Sequence, residues 1–204
     1  MSTRQNASLA YFDFSGMVEV SIVPSGRGSI SLARVRPLSF GITPAVHGNT
    51  ITFSLSQPRN LSVEVDGDIF RNLHLLARPI ETDRPDPTDP NVLYYGPGVH
   101  RVGTVLIPSG KTVYIAGGAL VQGRFLVSHA ENVRIRGRGI LTQYPSRRRS
   151  RAPRRPAATG DALSRREPCA RGDALTIEFF RNVKVDGLIV TPTGYTVLVG
   201  QSQG

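Results

Sequence analysis

The sequence predicts an all-β protein, and two features of its 204 residues point to this class. Twenty-one Gly and 15 Pro divide the chain into short stretches, which suits turns and short strands better than long helices. Apolar and polar residues alternate in many of these stretches, and no helical period of hydrophobic residues is visible. Hydrophobic residues make up 39% of the chain, so a sizeable core can be buried.

Residues 1–81 are predicted to form a small β-sandwich. Turn-forming sequences such as PSGRG and HGN separate stretches in which apolar and polar residues alternate, as in half-buried antiparallel strands. Several strands at such close spacing are typical of a sandwich. The predicted strands are MVEVSIV (17–23), SISLARV (29–35), NTITFSL (49–55) and LSVEVDG (61–67).

A linker is predicted at residues 82–91. The sequence ETDRPDPTDPN at 81–91 contains three Pro and four acidic residues. Because Pro fixes φ and removes backbone donors, this stretch is expected to be an extended, semi-rigid connector. It marks the boundary to a second domain at 92–204.

An internal repeat characterises the second domain. NVRIRG (132–137) returns as NVKVDG (182–187), with Asn at the turn before the strand and Gly at the turn after it. Val and Ile alternate with charged residues, so one face of each copy turns inward. A right-handed parallel β-helix is built from such coils, and inward Asn side chains can form a ladder between coils. Two unrelated strands of a sandwich with the same turn sequences are the alternative.

Residues 143–171 form an irregular, Arg-rich interruption of this domain. Between Pro145 and Arg171, nine Arg and two acids account for +7 of the total charge of +10. A nucleic-acid arm is disfavoured because no aromatic residue on which bases could stack lies between Pro145 and Arg171, and no nucleic-acid partner is predicted. Three hypotheses stay open for this stretch: a basic loop for an acidic polysaccharide, a disordered insertion and a disturbed reading frame.

No residue is assigned a catalytic role. Hydrolysis of a glycosidic bond needs two carboxyl groups, about 6.5–9.5 Å apart in inverting enzymes. Asp186 has no acidic partner, because the equivalent position in the other copy of the repeat is Arg136. The remaining candidates lie in the linker or in or beside the Arg-rich stretch: Asp83, Asp86, Asp89, Asp161, Glu167 and Asp173.

Metal and cofactor sites are also not predicted. The four His are far apart and lack the spacing of metal ligands, Ser109 and Ser128 lack the context of an activated nucleophile, and Cys169 is the only cysteine. Surface Tyr could contact a sugar, but no substrate-binding residue is assigned. The His are His47, His74, His100 and His129, and the Tyr are Tyr94, Tyr95, Tyr114, Tyr144 and Tyr195.

The sequence contains no signal for a membrane or for export. The N-terminus lacks the apolar region of a signal peptide, and no apolar run is long enough to cross a bilayer. No membrane partner is therefore predicted. Export would require a signal upstream of this chain or another route.

Three stretches resemble the first coils of pectin-lyase-like β-helix glycosidases. The resemblance is closest to glycoside hydrolase family 28, the polygalacturonases and their relatives, and extends to the family 49 dextranases. Residues 8–81 resemble the β-sandwich that precedes the β-helix in bacterial members. The stretches are DPNVLYYGPGVHRVGTVLIPSGKTVYIAGGALVQG (89–123), NVRIRGRGIL (132–141) and ALTIEFFRNVKVDGLIVTPTGYTVLVGQS (174–202).

The resemblance implies the N-terminal part of a glycoside hydrolase that acts on a pectic polysaccharide, outside the cell or in the periplasm. The family's NTD, DD, GHG and RIK motifs do not occur, so no residue inherits a catalytic role. This fragment is therefore expected to be inactive. The alternatives are a polysaccharide lyase or dextranase-type enzyme on the same scaffold, and a non-catalytic β-helix protein that binds carbohydrate or lies at a surface.

Overall fold

The structure is a computed structural model that describes residues 8–26, 28–143, 173–191 and 197–202. These residues form an all-β protein with sixteen strands, one 3₁₀ turn and no α-helix. The chain divides into two compact units, residues 1–84 and 85–204. The division falls within the Pro-rich stretch 81–91. Apart from Gln143, the irregular segment predicted at 143–171 lies outside the described residues.

The first unit contains a four-stranded and a three-stranded sheet. The four-stranded sheet has the order β1-β7-β6-β3, and the three-stranded sheet has the order β2-β5-β4. The strands are β1 (Ser8–Phe14), β2 (Val18–Ile22), β3 (Ala33–Arg36), β4 (Ala45–His47), β5 (Thr50–Leu55), β6 (Asn60–Val65) and β7 (Asp68–Pro79), with a 3₁₀ turn at Leu38–Phe40.

Both sheets contribute to one hydrophobic core. Val35 and Val63 from the larger sheet and Ile51 and Phe53 from the smaller sheet belong to the same buried cluster. Burial alternates along β5, as the period-2 pattern of NTITFSL predicts. One pairing differs from the antiparallel expectation, because β1 pairs in parallel with β7. Alternation determines which face of a strand is buried, but it contains no information about strand direction.

The described strands of the second unit pair only in parallel, in a nine-stranded sheet. The order is β15-β13-β11-β14-β12-β10-β8, while β16 pairs with β14 and β9 with β11. The strands are β8 (Val92–Tyr95), β9 (Gly98–Leu106), β10 (Thr112–Ile115), β11 (Ala119–Ser128), β12 (Glu131–Gly137), β13 (Ile140–Thr142), β14 (Leu175–Asp186), β15 (Ile189–Thr191) and β16 (Val197–Ser202).

These pairings form three ladders, which the chain enters in the same order on each circuit. The first ladder joins β8, β10, β12 and the second half of β14. The second joins the first halves of β9 and β11 with β13 and β15. The third joins the second halves of β9 and β11 with the first half of β14 and with β16.

Alternate residues of the ladders fill one core. Burial along β11 alternates at every position, and its buried residues include Val121, Phe125 and Val127. Val113 and Ile135 are in register on neighbouring strands and are both fully buried. Each such side chain contributes roughly 1.5–3 kcal/mol when it is removed from water, so the stacked apolar residues hold the strands together.

The two hexapeptides of the repeat lie side by side, in parallel and in register, as their sequence predicts. Val133 pairs with Val183 and Arg136 with Asp186. Asn132 and Asn182 both adopt left-handed backbone angles, with φ values of 56° and 49°. The side-chain Nδ2 of Asn182 donates a hydrogen bond of 2.6 Å to Oδ1 of Asn132. The predicted amide ladder is therefore present, but both Asn side chains are exposed at the corner rather than turned inward.

Two substitutions of Asn132 separate the hydrogen bond from the backbone requirement. Asn132→Gly keeps the left-handed backbone accessible and loses the acceptor for Asn182, so we expect a loss of about 1 kcal/mol. Asn132→Ala also forces a side chain into the left-handed region, and we expect a loss of about 2–3 kcal/mol. Urea unfolding of both variants measures these losses. An unchanged free energy of unfolding in both variants would show that Asn132 does not stabilise this corner.

Candidate functional surface

The outward side of the first ladder, here called the outward face, carries two lines of in-register side chains. Val113 and Ile135 point into the core, so the residues before and after them point outward. Because parallel strands lie about 4.8 Å apart, the members of each line are direct neighbours. One line contains Thr112, Arg134 and Lys184, and the other contains Tyr94, Tyr114, Arg136 and Asp186.

The aromatic side chains of this region pack between neighbouring strands. Tyr94 stacks on Tyr114 at 5.1 Å between ring centroids, and Tyr114 is 0% exposed. On the core side, Tyr95 stacks on Phe125 at 5.9 Å, and burial raises the pKa of the Tyr95 phenol above its ordinary value. Tyr114 is thus inaccessible to a sugar. Tyr144 and Tyr195 lie outside the described residues.

The outward face carries more positive than negative charge. Arg134 and Lys184 are exposed neighbours in one line, and Arg136 lies in the adjacent line. The only acid in the two lines, Asp186, forms an exposed ion pair of 3.3 Å with Lys184, which contributes little to stability. The surface can therefore attract a polyanion. Arg134 is not among the site residues predicted from the sequence, although the alternation in NVRIRG places it outward.

The described acids of the ladders have no acidic neighbours in register. Asp186 is in register with Arg136, Glu131 with Arg181, and Glu178 with Ser128 and Gly200. Within the described residues of the second unit, no two carboxylates are in-register neighbours.

Two acids of the linker stabilise turns. Asp86 accepts hydrogen bonds from the hydroxyl of Thr88 at 2.7 Å and from its backbone N–H at 2.8 Å. These two bonds hold the pKa of Asp86 below its ordinary value. Asp89 accepts the backbone N–H of Asn91 at 2.8 Å. Both contacts are typical of Asx turns, which accounts for the acids without catalysis.

Asp173 has unusual surroundings for an acid. It is 1% exposed, and neither of its carboxylate oxygens has a hydrogen-bond partner among the described residues. Removing an unpaired carboxylate from water costs several kcal/mol. Nothing in the sequence around Asp173 indicated this burial. Asp161 and Glu167 lie outside the described residues.

The His residues occupy separate places. His47 lies on β4 and His74 on β7, while His100 Nε2 donates a 2.6 Å hydrogen bond to the carbonyl of Gly96. The His129 ring stacks on Phe179 with 4.6 Å between centroids. In the described part of the chain, no group of three His, Cys, Asp or Glu side chains could hold a metal ion.

The candidate nucleophiles have structural contacts. Ser109 Oγ accepts the backbone N–H of Glu131 at 3.0 Å and thereby joins two neighbouring corners. Ser128 Oγ lies 3.0 Å from His129 Nδ1, but among the described residues no carboxylate bonds to the other ring nitrogen. The third member of a catalytic triad is therefore missing there. Cys169 lies outside the described residues.

Two further observations bear on function. Within the described ranges, no helix is long and apolar enough to cross a membrane. In comparisons with known proteins, no protein-family model matches the chain, and no curated protein is significantly similar to it.

Proposed function

We propose that this chain is the N-terminal part of a polysaccharide-degrading glycoside hydrolase that cleaves pectic glycosidic bonds, as polygalacturonases do. In this proposal, residues 1–81 are a β-sandwich and residues 92–204 are the first coils of a right-handed parallel β-helix. The resemblance of three sequence stretches supports the family. The structural observation that carries the proposal is the parallel, in-register pairing of residues 132–137 with 182–187.

The spacing of the first ladder agrees with such coils. Val92 pairs with Thr112, and Thr112 pairs with Arg134, so the first two circuits take 20 and 22 residues. The third circuit, from Arg134 to Lys184, takes 50 residues because it includes the Arg-rich stretch. The chain enters the three ladders in a constant order, which stacked coils require. Connections between parallel strands of one sheet are right-handed in about 98% of cases. That rule supports a right-handed rather than a left-handed β-helix in this proposal.

The charge of the outward face favours an acidic polysaccharide. The exposed cations Arg134 and Lys184 are in-register neighbours, and Asp186 is the only acid in the two lines. A polyuronate carries one carboxylate on each sugar, so its charges complement a line of cations on neighbouring strands. A neutral glucan would gain nothing from these charges.

The catalytic aspartates belong, in this proposal, to residues other than those the structure describes. The reason is that the described acids of the ladders have Arg, Ser or Gly as in-register neighbours. The same observation favours a second candidate, a non-catalytic protein that binds carbohydrate.

Incubation of the 204-residue chain with polygalacturonate tests the catalytic part. We expect no release of reducing ends above that of buffer, because the described acids of the ladders have no acidic partner in register. A chain extended by the residues encoded downstream, with paired aspartates on consecutive coils, should release reducing ends. Robust release of reducing ends by the 204-residue chain would contradict the proposal that its described residues lack the catalytic aspartates. An unsaturated product from the extended chain would indicate a lyase.

Affinity electrophoresis in gels that contain polygalacturonate or neutral dextran tests binding. We expect retardation in polygalacturonate alone, which weakens in the variant Arg134→Gln/Lys184→Gln. The control Arg34→Gln/Arg71→Gln removes the same charge from the first unit and should retain full retardation. Equal weakening in both variants would show that net charge, not the outward face, causes binding. Retardation without hydrolysis by the extended chain would favour the non-catalytic candidate.

A further inference from the structure

An open, mostly apolar cavity of about 600 Å³ lies on the outer face of the four-stranded sheet in the first unit. We propose that this cavity binds a small organic monocarboxylate. The inference does not depend on the proposed function, because it uses residues of the first unit alone. The cavity is lined by Arg36, Pro37, Leu38, Ser39, Asn60, Leu61, Ser62, His74 and Leu76.

Sheet register assembles the polar side of the cavity. Arg36 on β3 pairs with Ser62 on β6, and Ser62 pairs with His74 on β7. Val35 and Val63 point into the core, so Arg36 and Ser62 point to the opposite face. Three polar side chains from distant parts of the sequence thus form one line across three strands.

Arg36 is held in place by a carboxylate behind it. Its Nε donates a hydrogen bond of 2.7 Å to Oε1 of Glu64, whose side chain is 7% exposed. The two terminal nitrogens of Arg36 have no partner among the described residues. A guanidinium that is anchored at Nε presents these nitrogens together, and such a pair matches the two oxygens of a carboxylate.

The remaining polar groups of the cavity are also able to donate hydrogen bonds. Neither the Asn60 amide nor the His74 ring has a partner among the described residues. Ser62 Oγ accepts from Asn72 Nδ2 at 2.8 Å, so its own proton is free to donate. No acid is among the described residues that line the cavity. Asn60, Ser62 and His74 can therefore each donate a hydrogen bond to a ligand, and no negative charge among the described lining residues opposes an anionic group.

Charge and shape select a monocarboxylate. Because the Arg36–Glu64 pair has no net charge, a ligand with a single negative charge costs less electrostatic energy at this site than a phosphate with two. Pro37, Leu38 and Leu76 supply apolar walls for the carbon body of the ligand. The volume is in the range of small-molecule sites.

NMR titration of the full chain with matched pairs of acids and neutral analogues tests the proposal. The probes are cyclohexanecarboxylate against cyclohexylmethanol, and galacturonate against galactose. We expect saturable shifts of the Arg36 Nε–H and His74 ring signals with at least one acid, and at least tenfold weaker binding of its neutral partner. Comparison of the two acids distinguishes an aliphatic from a sugar-acid ligand. Absence of saturable binding by both acids, or equal binding by the neutral analogues, overturns the proposal.

Substitutions then locate the binding. Arg36→Met alone would leave Glu64 buried without a partner, so it is combined with Glu64→Gln. We expect this double variant to lose at least tenfold in affinity, and Asn60→Ala, at an exposed position, to lose about twofold to fivefold. Arg34→Met removes a cation from the same strand outside the cavity and should bind normally. Unchanged affinity in the double variant and in Asn60→Ala would show that the acids bind elsewhere.

Discussion

Gly137→Ala is expected to unfold the second unit, with a loss of more than about 4 kcal/mol. Gly137 has a φ of +137°, which side chains rarely adopt, and it closes the first copy of the repeat. A Cβ atom there would lie 2.7 Å from the carbonyl carbon of Ile115 and would overlap its oxygen. Ile115 is the in-register partner of Gly137 on β10, so it cannot move away without disrupting the ladder.

Gly110→Ala is the matched control for this substitution. Gly110 also has a positive φ, +74°, but a Cβ atom there would have nothing within 4 Å. We expect a loss of about 1–2 kcal/mol from backbone strain alone. Urea unfolding followed by tyrosine fluorescence reports mainly on the second unit, since five of the six Tyr lie in residues 85–204. Equal urea midpoints for Gly137→Ala and Gly110→Ala would contradict the close contact between Gly137 and the backbone of Ile115.

Phe125→Ala is expected to destabilise the second unit by about 3–5 kcal/mol. Phe125 is 0% exposed and stacks on Tyr95 at 5.9 Å. It lies in register between Val105 on β9 and Leu175 on β14. Because neighbouring strands fix the backbone on both sides, the core cannot collapse around the truncated side chain, and a cavity remains.

Leu126→Ala provides the comparison on the same strand. Leu126 is the next residue along β11, points away from the core and is only partly buried. The substitution removes apolar atoms without opening a core cavity, so we expect a loss below about 1.5 kcal/mol. The same urea unfolding experiment measures both variants. Similar losses of unfolding free energy in Phe125→Ala and Leu126→Ala would contradict the assignment of Phe125 to the core side of β11 and of Leu126 to the outward side.

Much of this fold could be predicted because it depends on local pattern. Alternation in NTITFSL indicates a half-buried strand, which β5 confirms. The repeat predicted that residues 132–137 and 182–187 occupy equivalent positions, and their register confirms it. The equivalence of the two copies also places Arg136 beside Asp186, so these two positions do not carry a pair of carboxylates. The expected inward orientation of the Asn ladder was wrong, because both amides lie exposed at the corner.

Other features could not be predicted because they depend on which strands become neighbours. The parallel pairing of Ser8–Phe14 with residues 73–79 joins the two ends of the first unit. Hydrophobic alternation is the same whether such strands run parallel or antiparallel. The deep burial of Asp173 is likewise invisible in its sequence context. The three hypotheses for the Arg-rich stretch stay predictions, since residues 144–172 lie outside the described ranges.

Strand content, turn positions and the equivalence of the two hexapeptides follow from the order of residues, because each depends on neighbours only a few positions away. The cavity at Arg36, Ser62 and His74 and the close contact of Gly137 with Ile115 exist only after folding. Both depend on register between strands that are distant from one another in the chain, and the side-chain pattern of a single strand contains no register.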